Sequence, residues 1–240
     1  MQQVLVTGAS RGVGLGVARR LAASGYGVIA LARTEGQPLT DAIAASDGRI
    51  AFAPFDLTAL DAIPELVRGL RSRFGPIWGL VNNAGIGAEG LLANMHVSQI
   101  EALIRLNTTA PIVLTKHVVR GMMASGGGRV VNMSSIIAST GYNGLSVYGA
   151  TKASMIGFTK SLAREVGRLG VTVNAIAPGF IDTELTAGLG DEGRERVVRR
   201  SALQRLVEVD DVAAMVDFLM GEAGRNITGA VMTIDAGNTA

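Results

Sequence analysis

The sequence contains no cysteine, which excludes disulfide bonds, thiolate catalysis and cysteine-ligated metal sites. Its two histidines, His96 and His117, have no obvious acidic ligand partner, so we expect no metal site. The formal net charge is only +2, which does not favour nucleic acid binding. No apolar run is long enough to span a bilayer, and the first predicted strand begins at Val4, which leaves no room for a leader peptide. We therefore expect a cytoplasmic protein that does not bind membranes.

Apolar residues dominate the composition. Hydrophobic residues make up 48% of the 240 residues and charged residues 18%, with a mean hydropathy of +0.34. A chain of this kind can bury one large core, and an open α/β sheet of this length is usually one domain. Short apolar runs predict strands at 4–7, 28–32, 50–55, 79–81, 129–133, 171–177 and 230–234. Helical periodicity begins at residue 15 and appears again at 60–74, 98–118, 148–167 and 208–220.

A glycine-rich turn follows the first predicted strand. Residues 8–14 read Gly-Ala-Ser-Arg-Gly-Val-Gly, and a helical pattern of apolar residues begins directly after them. Glycines let the backbone approach a pyrophosphate closely, and a helix start offers free amides and the positive end of its dipole. The strand, turn and helix therefore favour a dinucleotide-binding site, although tight packing alone would also use these glycines.

The ends of the second and third strands bear on the type of cofactor. Arg33 stands where an acidic residue would bind the ribose 2′-hydroxyl of NAD, whereas an arginine accommodates the 2′-phosphate of NADP. Arg11 in the glycine-rich turn supplies a second guanidinium. We therefore expect NADP(H), the alternative being two ordinary surface arginines. Asp56 and Leu57 are placed to touch the adenine, although Asp56 could equally cap the turn.

The segment from residue 132 to residue 160 contains the side chains best suited to acid catalysis. Tyr148 and Lys152 lie four apart in a helical pattern and therefore on one face, although an ordinary amphipathic surface would also place them there. A phenol has a pKa of about 10, and an ammonium about 4 Å away is worth about 4 kcal/mol at an effective dielectric of about 20. That would lower the phenol pKa by up to roughly three units. Ser135, at the end of a buried strand, would hold a carbonyl oxygen.

Three further stretches fit a ligand site at one end of the sheet. Residues 82–85 read Asn-Asn-Ala-Gly and put amide groups at the carboxyl end of a strand, where ligands bind in open α/β folds. The alternative is that these residues form a simple turn. Residues 98–101 read as a capping box that starts one long helix, with a kink at Pro111 and with Asn107 inside it, where asparagine is often merely exposed. Residues 184–201 are charged and weakly periodic, which suits a mobile lid.

These motifs together resemble the short-chain dehydrogenase/reductase family. The resemblance rests on residues 7–14, residues 82–85, Asn107, Ser135, Tyr148, Lys152 and the pair Pro178-Gly179, which stand in the order and spacing of the family. In length and in the sequence of its motifs, the chain is most similar to the β-ketoacyl-carrier-protein reductases of bacterial fatty-acid synthesis. The resemblance implies a single Rossmann-like, doubly wound α/β domain over residues 1–240, with a seven-stranded parallel sheet between helix layers, assembled as a homotetramer.

The resemblance also assigns a role to each candidate residue. Tyr148 would protonate the carbonyl oxygen as hydride arrives from the nicotinamide, and Lys152 would lower its pKa and bind the nicotinamide ribose. Ser135 would orient the carbonyl, and Asn107 would hold a water in a proton relay to Lys152. The other cofactor contacts would be Gly8, Ser10, Arg11, Gly12, Val13 and Gly14 at the phosphates, Arg33 at the 2′-phosphate, Asp56, Leu57, Asn83, Ala84 and Gly85 at the adenosine side, and Ile181 and Thr183, after Pro178 and Gly179, at the carboxamide.

The implied reaction is NADPH-dependent reduction of a carbonyl to a secondary alcohol, most similar to that of a 3-oxoacyl-[acyl-carrier-protein] reductase. Those reductases often carry basic residues before the serine strand and near the end of the Tyr-Lys helix, where they meet an acidic carrier. Here the first place offers only Arg129 and the second offers Arg168, and fewer positive charges would weaken steering of that partner. A reductase of free or coenzyme A-linked carbonyls is therefore an alternative, and a non-catalytic NADP-binding scaffold or sensor is a minor one.

Overall fold

The computed structural model describes residues 1–181 and 190–240. A single seven-stranded sheet lies at its centre, with every strand parallel and in the order β3-β2-β1-β4-β5-β6-β7. Strands buried on both faces read as near-continuous Val, Ile, Leu and Ala runs, as β2 and β6 do. The strands are β1 Gln3–Thr7, β2 Gly27–Ala32, β3 Ile50–Pro54, β4 Ile77–Asn82, β5 Gly128–Met133, β6 Val171–Pro178 and β7 Val231–Ile234.

Helices cover both faces of the sheet, which confirms the doubly wound α/β prediction. One core packs α1, α2 and α8 against one face, and a second core packs α3, α5 and α6 against the other. Each large aliphatic side chain buried there contributes about 1.5–3 kcal/mol. The helices are α1 Gly12–Ala23, α2 Gln37–Ala44, α3 Ile63–Phe74, α4 Val97–Ile104, α5 Ala110–Ala124, α6 Ser146–Val166, α7 Gly190–Arg200 and α8 Val209–Met220.

Several element boundaries differ from the sequence predictions. The short helix α2 was not predicted, and α6 begins at Ser146 rather than at Tyr148. Residues 190–200, within the predicted lid, form the helix α7. Across residues 1–181 and 190–240, no helix combines the length and the apolar character needed to cross a bilayer.

The prediction of one long helix after residue 98 is confirmed in outline, because helical backbone continues without a break from Val97 to Ala124. A five-residue π-helical turn at Arg105–Thr109, which was not predicted, divides it into α4, which ends at Ile104, and α5. The predicted capping box is misplaced, because Ser98 lies inside the first turn. The N-cap is His96, whose backbone N–H donates to Oε1 of Gln99 at 3.0 Å.

A chain of buried amide and hydroxyl groups ties the sheet to the helices just below its carboxyl edge. Nδ2 of Asn82 donates to Oγ1 of Thr115 on α5 and to Oδ1 of Asn132 on β5, both at 2.8 Å. Nδ2 of Asn132 donates to Oγ1 of Thr159 on α6, also at 2.8 Å. All four side chains are buried, where a hydrogen bond is stronger than in water. This series of hydrogen bonds fixes the ends of β4 and β5 relative to α5 and α6.

Candidate active site

A cleft of about 410 Å³ opens at the carboxyl ends of the central strands. In open α/β sheets, ligands bind at this edge, where the order of the strands reverses. The cleft brings together many of the predicted site residues, which come from α1, from the exits of β4, β5 and β6, and from α6. They are Val13, Asn83, Gly85, Ser135, Tyr148, Lys152, Pro178, Gly179 and Ile181.

The glycine-rich turn beside the cleft has the conformation that glycine permits. Gly8 and Gly12 have φ angles of +66° and +54°, which other residues rarely adopt. A methyl group on Gly14 would collide with the carbonyl oxygen of Gly8. Arg11, the N-cap of α1, provides no side-chain acceptor, and the first turn of the helix contains no acidic residue. The amides at this helix start and its positive dipole end therefore fit the pyrophosphate of a dinucleotide.

Thr7 joins the glycine-rich turn to the exit of β4. Its hydroxyl accepts the backbone N–H groups of Asn83 and Ala84, at 2.9 and 3.0 Å, and donates to the Val81 carbonyl at 3.2 Å. Nδ2 of Asn83 donates in return to the Thr7 carbonyl at 2.9 Å and to that of Gly8 at 3.3 Å. The predicted contacts Gly8, Asn83 and Ala84 thus form one rigid unit. Thr7 was not among the predicted site residues, although a hydroxyl ending a strand before a glycine turn was a usable signal.

Tyr148 and Ser135 lie together in the cleft. Ser135 is buried at the end of β5, where its Oγ accepts the Ile137 backbone N–H at 3.2 Å. Tyr148 lies in the first turn of α6, and its side chain and that of Ser135 both line the cleft. Burial raises the pKa of Tyr148, and the hydrogen bond with Ser135 partly offsets this rise. The phenol therefore stays protonated near neutral pH, as a proton donor must be.

The prediction that Lys152 lowers the pKa of Tyr148 is wrong for this structure. Nζ of Lys152 lies 5.8 Å from the centroid of the Tyr148 ring, and the pKa of Tyr148 is raised rather than lowered. The ammonium is directed instead to the Met133 carbonyl, to which it donates at 3.0 Å. Lys152 is 6% exposed, and burial lowers its pKa from 10.5 to about 8. Desolvation, rather than the pairing of the two side chains, dominates the electrostatics here.

Asn107 is buried and bonded, unlike the exposed asparagine that a position inside a helix often holds. It is 2% exposed and lies in the π-helical turn. Its Oδ1 accepts the Ile86 backbone N–H at 2.9 Å, and its Nδ2 donates to the Ile86 carbonyl at 2.8 Å and to Oγ1 of Thr151 at 3.2 Å. A Cβ on Gly85 would lie 3.2 Å from Oδ1 of Asn107 and 3.5 Å from Nζ of Lys152. Asn107 therefore holds the exit of β4 against α6, directly behind the cleft.

Three of the predicted cofactor contacts, Arg33, Asp56 and Leu57, lie at the ends of β2 and β3, outside the cleft lining. Arg33 and Asp56 are exposed, and Leu57 is buried. Oδ1 of Asp56 accepts the backbone N–H of Thr58 at 2.9 Å and its hydroxyl at 2.8 Å, so Asp56 does cap the turn. The Thr58 N–H chiefly holds the pKa of Asp56 below its usual value, and the Thr58 hydroxyl and Arg33 assist. Arg33 thus offers its guanidinium at this edge of the sheet.

The exit of β6 closes the cleft on the far side. The Gly179 backbone N–H donates to the Ile234 carbonyl at 2.8 Å, and a Cβ on Gly179 would lie 2.8 Å from Cβ of Asp235, so only glycine fits. Ile181 is buried and forms a β-bridge with Val207. Thr183 lies outside the described residues. Pro178 and Gly179 line the cleft as predicted.

Sequence reasoning missed the loop residues that complete the cleft and the groups that hold Lys152. Ser134 is buried, and its Oγ donates to the Lys152 backbone carbonyl at 2.8 Å, next to the Met133 carbonyl that accepts Nζ. These residues carry no periodic signal, because each acts through a contact distant in sequence. The cleft-lining residues that were missed include Ile86, Glu89, Ile137, Leu145 and Phe180.

Comparison with known proteins agrees with this site. The short chain dehydrogenase family matches over residues 2–193. The chain is 37% identical to the 3-oxoacyl-[acyl-carrier-protein] reductase FabG of Escherichia coli K12 over 235 residues, which cover 97% of this chain and 95% of that protein. The structure is similar to that of a gluconate 5-dehydrogenase from Burkholderia cenocepacia J2315 in complex with NADP and tartrate, with a TM-score of 0.94, 29% identity and coverage of 99% and 95%. It is also similar to ElxO with NADP bound, with a TM-score of 0.92, 31% identity and coverage of 99% and 98%.

Proposed function

Because the chain belongs to the short-chain dehydrogenase family, we propose that it catalyses NADPH-dependent reduction of a carbonyl to a secondary alcohol. One observation carries this proposal. The protonated phenol of Tyr148, the hydroxyl of Ser135 and the buried Lys152 line one cleft, and the glycine-rich turn that fits a pyrophosphate lies beside it. NADPH, when bound, supplies the hydride. The protein supplies orientation and a proton.

The residues that would hold the cofactor fit its chemistry. The amides at the start of α1, with Arg11, would bind the pyrophosphate, and Arg33 would bind the 2′-phosphate. The solved relatives described above hold NADP, in agreement with the arginine at this position. Further contacts would come from Ser10, Gly12, Val13, Asp56, Leu57, Asn83, Ala84, Gly85, Ile181 and Thr183.

The proton would come from Tyr148. Its hydroxyl would donate to the carbonyl oxygen, and Ser135 would donate a second hydrogen bond that fixes that oxygen. Lys152, whose pKa is about 8, can exchange a proton near neutral pH and would restore the proton of the phenol. Asn107 would keep the exit of β4 in place during this exchange, with its backbone in the π-helical turn beside Lys152.

For the substrate, we propose a 3-oxoacyl group carried by acyl carrier protein. The support is the similarity to 3-oxoacyl-[acyl-carrier-protein] reductases along nearly the whole chain. The test measures NADPH oxidation with acetoacetyl groups on acyl carrier protein and on coenzyme A. A clear preference for the carrier supports the assignment, and equal kcat/KM values refute it.

One contact favours the alternative, a reductase of free or coenzyme A-linked carbonyls. Arg129, the basic residue that precedes the serine strand, is 7% exposed. Its guanidinium lies 5.0 Å from the centre of the Trp78 ring and donates to the Gly128 carbonyl at 3.0 Å. A buried arginine cannot meet an acidic carrier, which leaves Arg168 as the exposed candidate of the two. Failure to oxidise NADPH with any ketone, aldehyde or 3-oxoacyl compound, despite tight binding, would instead support a scaffold or sensor.

We also propose a homotetramer. Strand β7 is an edge of the sheet, and Val231, Met232 and Ile234 on it are only half-buried. Phe218 on the neighbouring helix α8 is 43% exposed. An edge strand with apolar residues beside it is a surface that pairing with a second copy would cover. Light scattering coupled to gel filtration measures the mass of the assembly. We expect Phe218→Asp to give smaller species than the wild type. A purely monomeric wild type would contradict the proposal.

A further inference from the structure

The cleft beside Tyr148 is bounded mainly by apolar side chains. Ile86, Ile137, Leu145 and Phe180 line it, and the Phe180 ring packs against Tyr142 with the ring centroids 5.8 Å apart. Ile137 and Leu145 flank the start of α6, which carries Tyr148. Such a wall favours the uncharged, hydrocarbon parts of a substrate next to the reacting carbonyl.

Among the described residues that line the cleft, the charged ones are Lys152 and Glu89. Lys152 is a poor counter-ion for a substrate, because its Nζ already donates to the Met133 carbonyl and burial lowers its pKa to about 8. The exposed Glu89 is therefore the acidic residue in the described part of the cleft lining, and a carboxylate here would repel an incoming anion.

The backbone next to Glu89 is held by a contact between two loops. The Gly90 backbone N–H donates to the Gly144 carbonyl at 3.0 Å. Gly144 has a φ angle of +79°, and a Cβ built on it would lie 3.5 Å from the Gly90 nitrogen. This contact joins the loop after β4 to the loop before α6, which are the two walls that flank Tyr148.

We propose that Glu89 is a specificity-determining residue that excludes carbonyl compounds with a free carboxylate close to the reacting carbon. A substrate of this site would then carry no free carboxylate beside the carbonyl, as in an ester or a thioester of an oxo acid. The inference rests on the carbonyl reductase function proposed above.

A pair of matched substrates tests the proposal. Acetoacetate and methyl acetoacetate share the 3-oxo carbon skeleton and differ in the charge of the acid group. In NADPH-oxidation assays at neutral pH, the wild-type kcat/KM for the ester should exceed that for the anion by about tenfold or more, since like charges repel in a partly desolvated cleft. Glu89→Gln should narrow this ratio by about threefold or more, and Glu89→Lys should narrow it further.

The control removes the same charge elsewhere. Glu165 is exposed in the last turn of α6, and Tyr148 lies 17 residues earlier on that helix, about 25 Å away by helix rise. Glu165→Gln should leave the ester-to-anion ratio at its wild-type value. An unchanged KM for NADPH in all variants shows that the cofactor site is intact.

The outcomes separate this inference from the function on which it rests. A wild-type enzyme that reduces both compounds equally well overturns the inference, and so does a ratio that Glu89→Gln leaves unchanged; the reductase function then stands. A wild-type enzyme that oxidises NADPH with neither compound, nor with a wider carbonyl panel, overturns the proposed function and the inference together.

Discussion

Replacing Lys152 with methionine should remove a pH-dependent penalty on folding. Burial lowers the pKa of Lys152 from 10.5 to about 8. Since one pKa unit corresponds to about 1.4 kcal/mol, keeping this ammonium charged in the folded protein costs about 3 kcal/mol at neutral pH. Methionine has similar length and no charge. It also leaves the Met133 carbonyl without its hydrogen bond, which reduces the gain by about 1 kcal/mol.

The sign of the pH dependence follows from the direction of the shift. Between pH 8 and pH 10.5 the unfolded chain binds the lysine proton and the folded protein does not, so the stability of the wild type rises with pH across this window. The pKa values of Tyr26 and Tyr148 are raised by burial, and their contributions to stability are lost only as pH rises above about 10. Measurements at about pH 7.5 and about pH 9.5 therefore isolate the lysine.

Urea unfolding at equal protein concentration measures this effect. Between the two pH values, the free energy of unfolding of the wild type should increase by about 2 kcal/mol relative to that of Lys152→Met. Lys160→Met makes the same change at an exposed position of α6 and should follow the wild type. Parallel pH profiles for the wild type and Lys152→Met would refute the reasoning, because the penalty would then not come from this group.

Three other substitutions test the site. Tyr148→Phe should lower turnover by about 10²-fold or more, because it removes the proton donor, while NADPH affinity from fluorescence titration stays largely unchanged; unaltered turnover would end the assignment. Arg33→Ala should weaken NADPH far more than NADH, since only NADPH carries the 2′-phosphate, and equal losses would contradict the cofactor proposal. Gly14→Ala should lower the free energy of unfolding by about 1–3 kcal/mol, because its methyl group would meet the Gly8 carbonyl oxygen. Gly69→Ala, where nothing lies within 4 Å, is the control and should be neutral or stabilising.

The parts of the fold that were predictable depend on local sequence. The strand β2 is a continuous apolar run, β5 and β6 are apolar runs interrupted by single polar or charged residues, and the turn at residues 8–14 needs glycine for its own backbone. Strands and turns of this kind can be predicted without knowing which distant residues pack against them. Burial on both faces of a strand and a positive φ angle in a turn each restrict the residue type directly. The order of motifs then indicated the family, and through it the strand count.

The features that were not predictable depend on contacts distant in sequence. Asn107 is buried because Ile86 and Thr151, each more than twenty residues away, bond to its amide, and no helical periodicity records this. The spacing of Tyr148 and Lys152 correctly placed them on one helix. It could not show that burial would outweigh their mutual attraction, because desolvation depends on the surrounding structure.

The π-helical turn at Arg105–Thr109 makes the length of this segment as important as its composition. An i→i+5 turn holds one residue more than the i→i+4 turn of an α-helix, in which each residue advances the chain by about 100°. Without the wider turn, that extra residue would rotate α5 by about this angle relative to α4, so that Leu114 would turn away from the core and Thr115 would no longer reach Asn82. The loss of one residue here should therefore leave a regular α-helix with α5 in place, and a relative with one residue fewer between α4 and α5 is expected to lack the π-helical turn rather than the packing of α5.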